Sequence, residues 1–223
     1  MICKIIASGS KGNASVLNNH ILIDCGVPFR MLGEDYKALN LVLLTHIHGD
    51  HFNPNTIKQL HFLRPTLRFV CGPWLVEPMS MLGISPRVVD WIDDETGICY
   101  SPGFSVEADY VPHDVPNCAW KISDGGESAF YATDCASLDG VKARSYDLYL
   151  IEANYGEEEI RQRERRKIAA GEFSYEARAE ATHLSREQAD FWLAENATPG
   201  KSKVIYLHKH AFDRQTRSPE PSY

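Results

Sequence analysis

The chain reads as an α/β protein, and three observations carry that reading. Short apolar runs recur between turn signals through the first half, at residues 2–7, 14–17, 20–24 and 41–45, as strands do. Helix starts and a charge-ordered helical stretch alternate with further apolar runs in the rest of the chain. The densest cluster of reactive side chains, residues 45–51, directly follows an apolar run, where a rigid sheet presents its functional loops.

Taken in order, residues 2–7 read as a first strand. Ser8-Gly9-Ser10-Lys11-Gly12-Asn13 is a glycine-rich connection for which a tight hairpin is the default; alone it is a weak phosphate-loop look-alike. Asn53 followed by Pro54 is a cap and first-turn proline, so a helix starts there and runs to Leu63, before Arg64-Pro65. Residues 73–83 predict a second helix. Strands return from Gly97 to Thr133, with turns at 101–103 and 124–126, and again at 147–152. Glu157, Glu158 and Glu159 then precede Arg161, Arg163, Arg165, Arg166 and Lys167, the order a helix dipole favours. Glu157–Arg161 and Glu159–Arg163 are spaced i,i+4. A solvated helix face explains that stretch more simply than a dedicated nucleic-acid stripe. Ser185-Arg186-Glu187-Gln188 has capping-box form and opens a helix toward Ala197. Residues 204–207 are a last strand, and the polar residues 213–223 read as a flexible tail. One domain is expected over residues 1–212.

Composition narrows the function classes. With 223 residues, 43% hydrophobic and 24% charged, the chain matches an ordinary globular domain with a substantial core. It contains no apolar run of membrane-spanning length and does not open on a basic-then-apolar leader. Cys3, Cys25, Cys71, Cys99, Cys118 and Cys135 are scattered with no C-x-x-C pair, which excludes a zinc-finger pattern and fits reduced thiols in a cytoplasmic protein. A net charge of −7 argues against a broad basic coat for nucleic acid. It leaves a nuclease open, because bound divalent cations add positive charge where a phosphate would sit.

Thr45-His46-Ile47-His48-Gly49-Asp50-His51 is the chemical centre of the sequence. In an extended segment His46 and His48 point to the same side and can grip one ion together. Asp50 and His51 fall where the chain leaves the strand and can turn toward a second ion. Imidazole with carboxylate suits zinc and similar first-row divalent metals. A solvated polar loop would account for one histidine. Three with an aspartate at this spacing point to a metal site, for two ions.

This stretch resembles the HxHxDH motif of the metallo-β-lactamase superfamily, and later elements resemble the rest of that family's pattern in order, from Ser8 to about His208. The resemblance implies an α/β fold of four layers, an αββα sandwich with two sheets face to face between outer helices and ligands gathered at one edge. It implies His46, His48 and His113 on one metal, Asp50, His51 and His208 on the other, and Asp134 bridging them. His113 follows a strand in a turn-rich segment, Asp134 sits in a Thr133-Asp134 element, and His208 directly follows residues 204–207. His210 is the competing last ligand. His20 and His61 lack such context and read as structural.

Within the superfamily the chain is most similar to nucleases of the ribonuclease Z type and to a bacterial exonuclease-like group linked to cell-wall regulation operons. Residues 7–14 and 22–26, Ile151-Glu152-Ala153-Asn154 and Thr182-His183-Leu184-Ser185 carry that similarity. It implies that His183 gives a proton to the leaving oxygen and that Glu152 orients it. Two departures stand out: Cys135 occupies a position where a small residue or threonine is common, and there is no exosite arm for tRNA. The implied activity is a dinuclear-metal-dependent phosphodiesterase, a DNA nuclease before an RNA nuclease. A metal-bridging hydroxide would attack phosphorus and Asp50 would serve both as ligand and as aligning acceptor. Two divalent cations are implied, zinc first and manganese second.

Two rivals stay open. A small-substrate hydrolase for a thioester, lactone or cyclic nucleotide could use the same metal core, and the acidic net charge favours it. The His183 element and the basic stretch 161–167 favour the nuclease. A non-catalytic binding protein that keeps the fold is opposed by the full ligand set.

Overall fold

Turn signals and apolar runs resolve into two sheets of six strands each in the computed structural model, which describes residues 1–208. The first sheet follows chain order: β1 (Cys3–Ala7), β2 (Ala14–Leu17), β3 (Ile21–Ile23), β4 (Leu41–Leu44), β5 (Arg68–Cys71) and β6 (Val89–Trp91). Its first three strands run antiparallel, and β3 to β6 run parallel. The second sheet holds β7 (Thr96–Ser101), β8 (Phe104–Val111), β9 (Asn117–Asp124), β10 (Glu127–Ala132), β11 (Leu148–Glu152) and β12 (Lys203–Leu207). There β7 to β10 are antiparallel and β10 to β12 parallel.

Side-chain alternation then builds the layers. Every residue of β4 is buried, as expected of a parallel strand covered on both faces. Leu41 and Leu43 face the interior between the sheets, where they join Leu17, Ile21 and Ile23 and meet Val106, Trp120, Tyr131 and Leu150 of the second sheet. Val42 and Leu44 face the other way, onto α1 (Pro54–Leu63) and α2 (Val76–Met81), through Ile57, Leu60 and Met79. The outer face of the second sheet packs Phe130, Tyr149 and Ile151 against Ala189, Trp192 and Leu193 of α5 (Arg186–Asn196). The result is helix, sheet, sheet, helix: the four-layer sandwich.

Local signals act where the sequence places them. Asn53 accepts hydrogen bonds from Asn55 N and Thr56 N at the start of α1. Ser185 and Gln188 complete both arms of the capping box of α5. The charge-ordered stretch is α3 (Glu157–Ala169), with a Glu157–Arg161 ion pair at 2.9 Å. Residues 73–83 split into a 3-10 turn, Pro73–Leu75, and the short α2, because Pro73 and Pro78 limit how the chain can coil. A further helix, α4 (Glu176–Thr182), was not marked by any cap or periodic apolar pattern. All six cysteines are free thiols. No helix among the described residues is long and apolar enough to cross a membrane. His210 and residues 213–223 lie outside the described residues.

Strand direction decides where the loops go. The carboxyl ends of β3, β4 and β5 and the β1–β2 connection share one edge of the first sheet. In the second sheet the carboxyl ends of β8, β10, β11 and β12 share one edge in the same way. The two edges are tied together, since His208 N donates to Ser8 Oγ at 2.7 Å across 200 residues of sequence.

Candidate metal centre

The histidine motif leaves β4 as a compact loop held by backbone. His51 N and Phe52 N both donate to His48 O, while Asn13 N donates to Asp50 O and Cys25 N to His51 O. The fit against residues 25–26 is so close that a Cβ on Gly26 would lie 1.7 Å from Asp50 O. Only glycine leaves room there.

The loop and the far edge of the second sheet bring every predicted ligand together. His46, His48 and His113 place one donor atom each within 4.8 Å of one another, and so do Asp50, His51 and His208. Asp134 joins His46 and His51 in a third such group, which puts it between the first two. Its Oδ2 is 3.8 Å from His46 Nε2 and in direct contact with His51 Nε2. Asp50 Oδ2 stands 3.9 Å from His51 Nε2 and 4.0 Å from His208 Nε2. Three site residues that are not glycine, Asp24, Asp134 and His208, adopt left-handed backbone (φ of 58°, 52° and 51°) to aim their side chains. Strain of this kind collects at functional sites, and Asp and His tolerate it best.

Each of the five imidazoles is braced through one ring nitrogen and turns the other toward the centre, where that of His51 also meets Asn13 Nδ2. His46 Nδ1 lies 2.9 Å from Thr45 Oγ1, and that hydroxyl donates to Asp24 Oδ1 and so can accept. His51 Nδ1 donates to Asp24 Oδ2 at 2.7 Å, and His113 Nδ1 to Thr182 O at 2.9 Å. His208 Nδ1 lies 3.1 Å from Glu152 Oε1, and His48 Nε2 lies 3.3 Å from Asp114 Oδ1. Outer acceptors of this sort fix the tautomer and orientation of metal-binding histidines. Among buried side-chain atoms without a hydrogen-bond partner are His46 Nε2 and His208 Nε2, both turned toward the centre. Stranded buried polar atoms are costly, and a cation bound by their lone pairs would satisfy them. The residues present therefore fit a divalent metal centre.

Electrostatics agrees. Burial disfavours a charge on His51, but Asp24 and Asp134 outweigh it and raise its pKa to about 10. His208 and His183 are also held at about 10 against burial, by Asp50 with Glu152 and by Asp134 with Glu152 respectively. His46 goes the other way, to about 2, because burial and the neighbouring His51 both oppose its charge. The carboxylates Asp134 and Glu152 stay ionised despite burial, drawn down by His51 and His183 in turn. The carboxylates thus pull positive charge into this pocket, onto the imidazoles here, the same attraction that a bound cation would feel.

His183 stands at the rim. Its Nδ1 donates to Glu152 Oε1 at 2.7 Å and lies 3.1 Å from Asp134 Oδ1. Glu152 is fully buried and also accepts from Cys135 N and Leu184 N. While His46 and His51 are sealed, the side chains of His48, Asp50 and His183 keep 35%, 26% and 20% exposure, so the centre opens to solvent on that side.

Several residues in this arrangement had no role assigned from sequence. Asp24 is the largest omission: fully buried, it accepts from Thr45 N, Thr45 Oγ1, His51 Nδ1 and Tyr131 Oη. The glycine-rich connection is a hairpin, and it also delivers Asn13, whose Nδ2 lies 2.7 Å from His51 Nε2. Asp114 and Thr182 were likewise given no role. An acidic residue immediately after an apolar strand, beside a second such strand ending in histidines, was the available signal for Asp24. His20 pairs with Asp124 at 2.8 Å, away from the centre.

Fold and site together are a four-layer αββα sandwich with a cluster of histidines and carboxylates at its edge that could hold divalent metal. The family profile described as "Beta-lactamase superfamily domain" matches residues 19–208, and the chain belongs to that superfamily. Among solved structures, the metallo-β-lactamase fold protein YhfI from Bacillus subtilis is similar, with 18% identity, coverage of 95% of this chain and 88% of that one, and a TM-score of 0.68. Human tRNase Z, short form, gives 15% identity, coverage of 96% and 94%, and a TM-score of 0.67. A diphosphatase from the PhnP family gives 14% identity, coverage of 97% and 91%, and a TM-score of 0.64. At these identities the likeness is one of fold. The comparison with curated proteins returns no match.

Proposed function

We propose that the chain is a phosphodiesterase that cleaves nucleic acid, DNA before RNA, with two divalent cations held by His46, His48, His113, Asp50, His51, His208 and a bridging Asp134. One observation carries the reading: a histidine fixed by a buried glutamate stands at the open rim of the candidate centre. Cleaving a phosphodiester expels an alkoxide, which leaves far more readily with a proton. A thioester would expel a thiolate that needs no such help. The names of two structural neighbours, a tRNase and a diphosphatase, add support from hydrolysis at phosphorus.

Two cations bound there would polarise the phosphoryl group and bring a water's pKa toward neutrality. The chain's own groups do the rest. Asp50, partly exposed and flanked by His51 and His208, accepts a hydrogen bond from the attacking water and aims its lone pair at phosphorus. Glu152 holds His183 through Nδ1, so that Nε2 delivers the proton to the departing oxygen. The donor set of imidazole and carboxylate fits zinc first, with manganese as the alternative.

End-labelled single- and double-stranded DNA, RNA and bis-p-nitrophenyl phosphate, each with added zinc or manganese, form the test, with Asp50→Ala as control. Polymer cleavage that vanishes in the control supports the reading. Cleavage of the small diester alone moves the assignment to a small-substrate hydrolase.

A further inference from the structure

Beside the candidate centre lies a cleft of about 400 Å³ that the chemistry above does not use. Trp74, Tyr110, Pro112 and Pro116 line it, and His113 belongs to its wall, so the cleft is continuous with the metal ligands. Trp74 is locked in place. Its Nε1 donates to Thr45 O at 3.2 Å, and its ring crosses Gly72 so closely that a Cβ there would lie 2.3 Å from the indole. Tyr110 meets it edge to face, with ring centroids 4.9 Å apart.

The polar handles of these walls are already spent inside the protein. Tyr110 Oη donates to Asp93 Oδ1 at 2.9 Å. Asn117, at the base of the same loop, donates through Nδ2 to Thr133 O and Asp134 O and accepts from Cys118 N. Asp114 also lines the cleft, but its carboxylate is engaged by His48 and Arg178, so the side-chain surface left for a ligand is ring, proline and valine, next to the place where a phosphate would be cut.

We infer that this cleft is a stacking subsite for the nucleobase adjoining the scissile phosphate, and that it takes all four bases alike. The inference rests on the phosphodiesterase reading. Every base has a π face, so stacking tolerates any sequence, whereas telling bases apart needs unspent donors and acceptors aimed at their edges. Arg178, paired with Asp114 at 2.7 Å on the cleft's rim, is a cation suited to the neighbouring phosphate.

The test uses oligonucleotides with one cleavable junction, carrying each of the four bases or an abasic residue beside it. The inference expects kcat/KM to agree within about threefold among the bases and to fall about 5- to 150-fold for the abasic substrate. Trp74→Leu or Tyr110→Leu should erase the difference between base and abasic residue, and Trp74→Phe should keep it. Because the abasic comparison is made on the unaltered protein, it does not depend on any variant folding. Polymer cleavage with no abasic penalty, or with a preference above tenfold for one base, overturns the inference and leaves the phosphodiesterase reading standing. If no polymer is cleaved, the phosphodiesterase reading has failed, and the assignment of this cleft to a base beside a scissile phosphate is overturned with it.

Discussion

The two sheets are wired alike, antiparallel strands first and parallel strands after, yet they supply the candidate centre in opposite ways. The first sheet offers His46, His48, Asp50 and His51 from one loop after β4. The second offers His113, Asp134, Glu152 and His208 singly, each from the end of a different strand. A loop can be built locally. Four strand ends meet only when β8, β10, β11 and β12 are in register, so this half of the centre exists only in the assembled sheet.

Asp134 is where the two contributions join, and changing it should give the largest effect. Asp134→Asn is expected to lower phosphodiester cleavage by about 10³-fold or more and to reduce bound metal, read by elemental analysis of the purified protein. Retained activity would mean that the halves do not share a donor. Next comes His183→Gln, which removes a proton donor and not a ligand. Here kcat should drop about 10²- to 10⁴-fold with metal content unchanged. If metal is lost as well, His183 belongs to the ligand set and its assignment as acid is wrong.

The braces sharpen the contrast between sealed and open sides. Asp24 is buried under His51, whereas Asp114 keeps 27% of its side chain exposed beside His48. Asp24→Asn should weaken metal binding about 10- to 100-fold in a chelator competition, the usual cost of losing an outer partner. Asp114→Asn should cost less than about tenfold, since water can replace it. Equal losses would show that burial does not set the worth of a brace.

The smallest effect concerns the helix that leads into His183. Glu176, at the start of α4, is buried and paired with Lys167 at 2.7 Å. Burial alone would raise its pKa, but Lys167 and Ser174 bring it down to about 2. A carboxylate depressed in the folded state adds stability above its unfolded pKa of about 4.3 and loses it as pH falls toward 2. Glu176→Gln should therefore lower the Tm at pH 7 by about 2–4 °C and make little difference near pH 2.

The same asymmetry explains what could be read from sequence. The motif at residues 45–51 is legible because four ligands sit side by side after an apolar run. His113, Asp134 and His208 are each a lone polar residue past a strand, and only resemblance to a family singled them out. Asp24, Asn13 and Asp114 were assigned no role because an outer brace is defined by whom it touches, not by its own neighbours in sequence. The caps of α1 and α5 were legible since capping chemistry is local. By contrast α4 was not, because tertiary pairing through Glu176 and Arg178 holds it in place of a local signal.

Everything rests on the two halves jointly holding two cations, and native mass spectrometry of the metal-saturated chain counts them directly. The account predicts two divalent ions per chain, and fewer in Asp134→Asn. One ion per chain, or none, would contradict it.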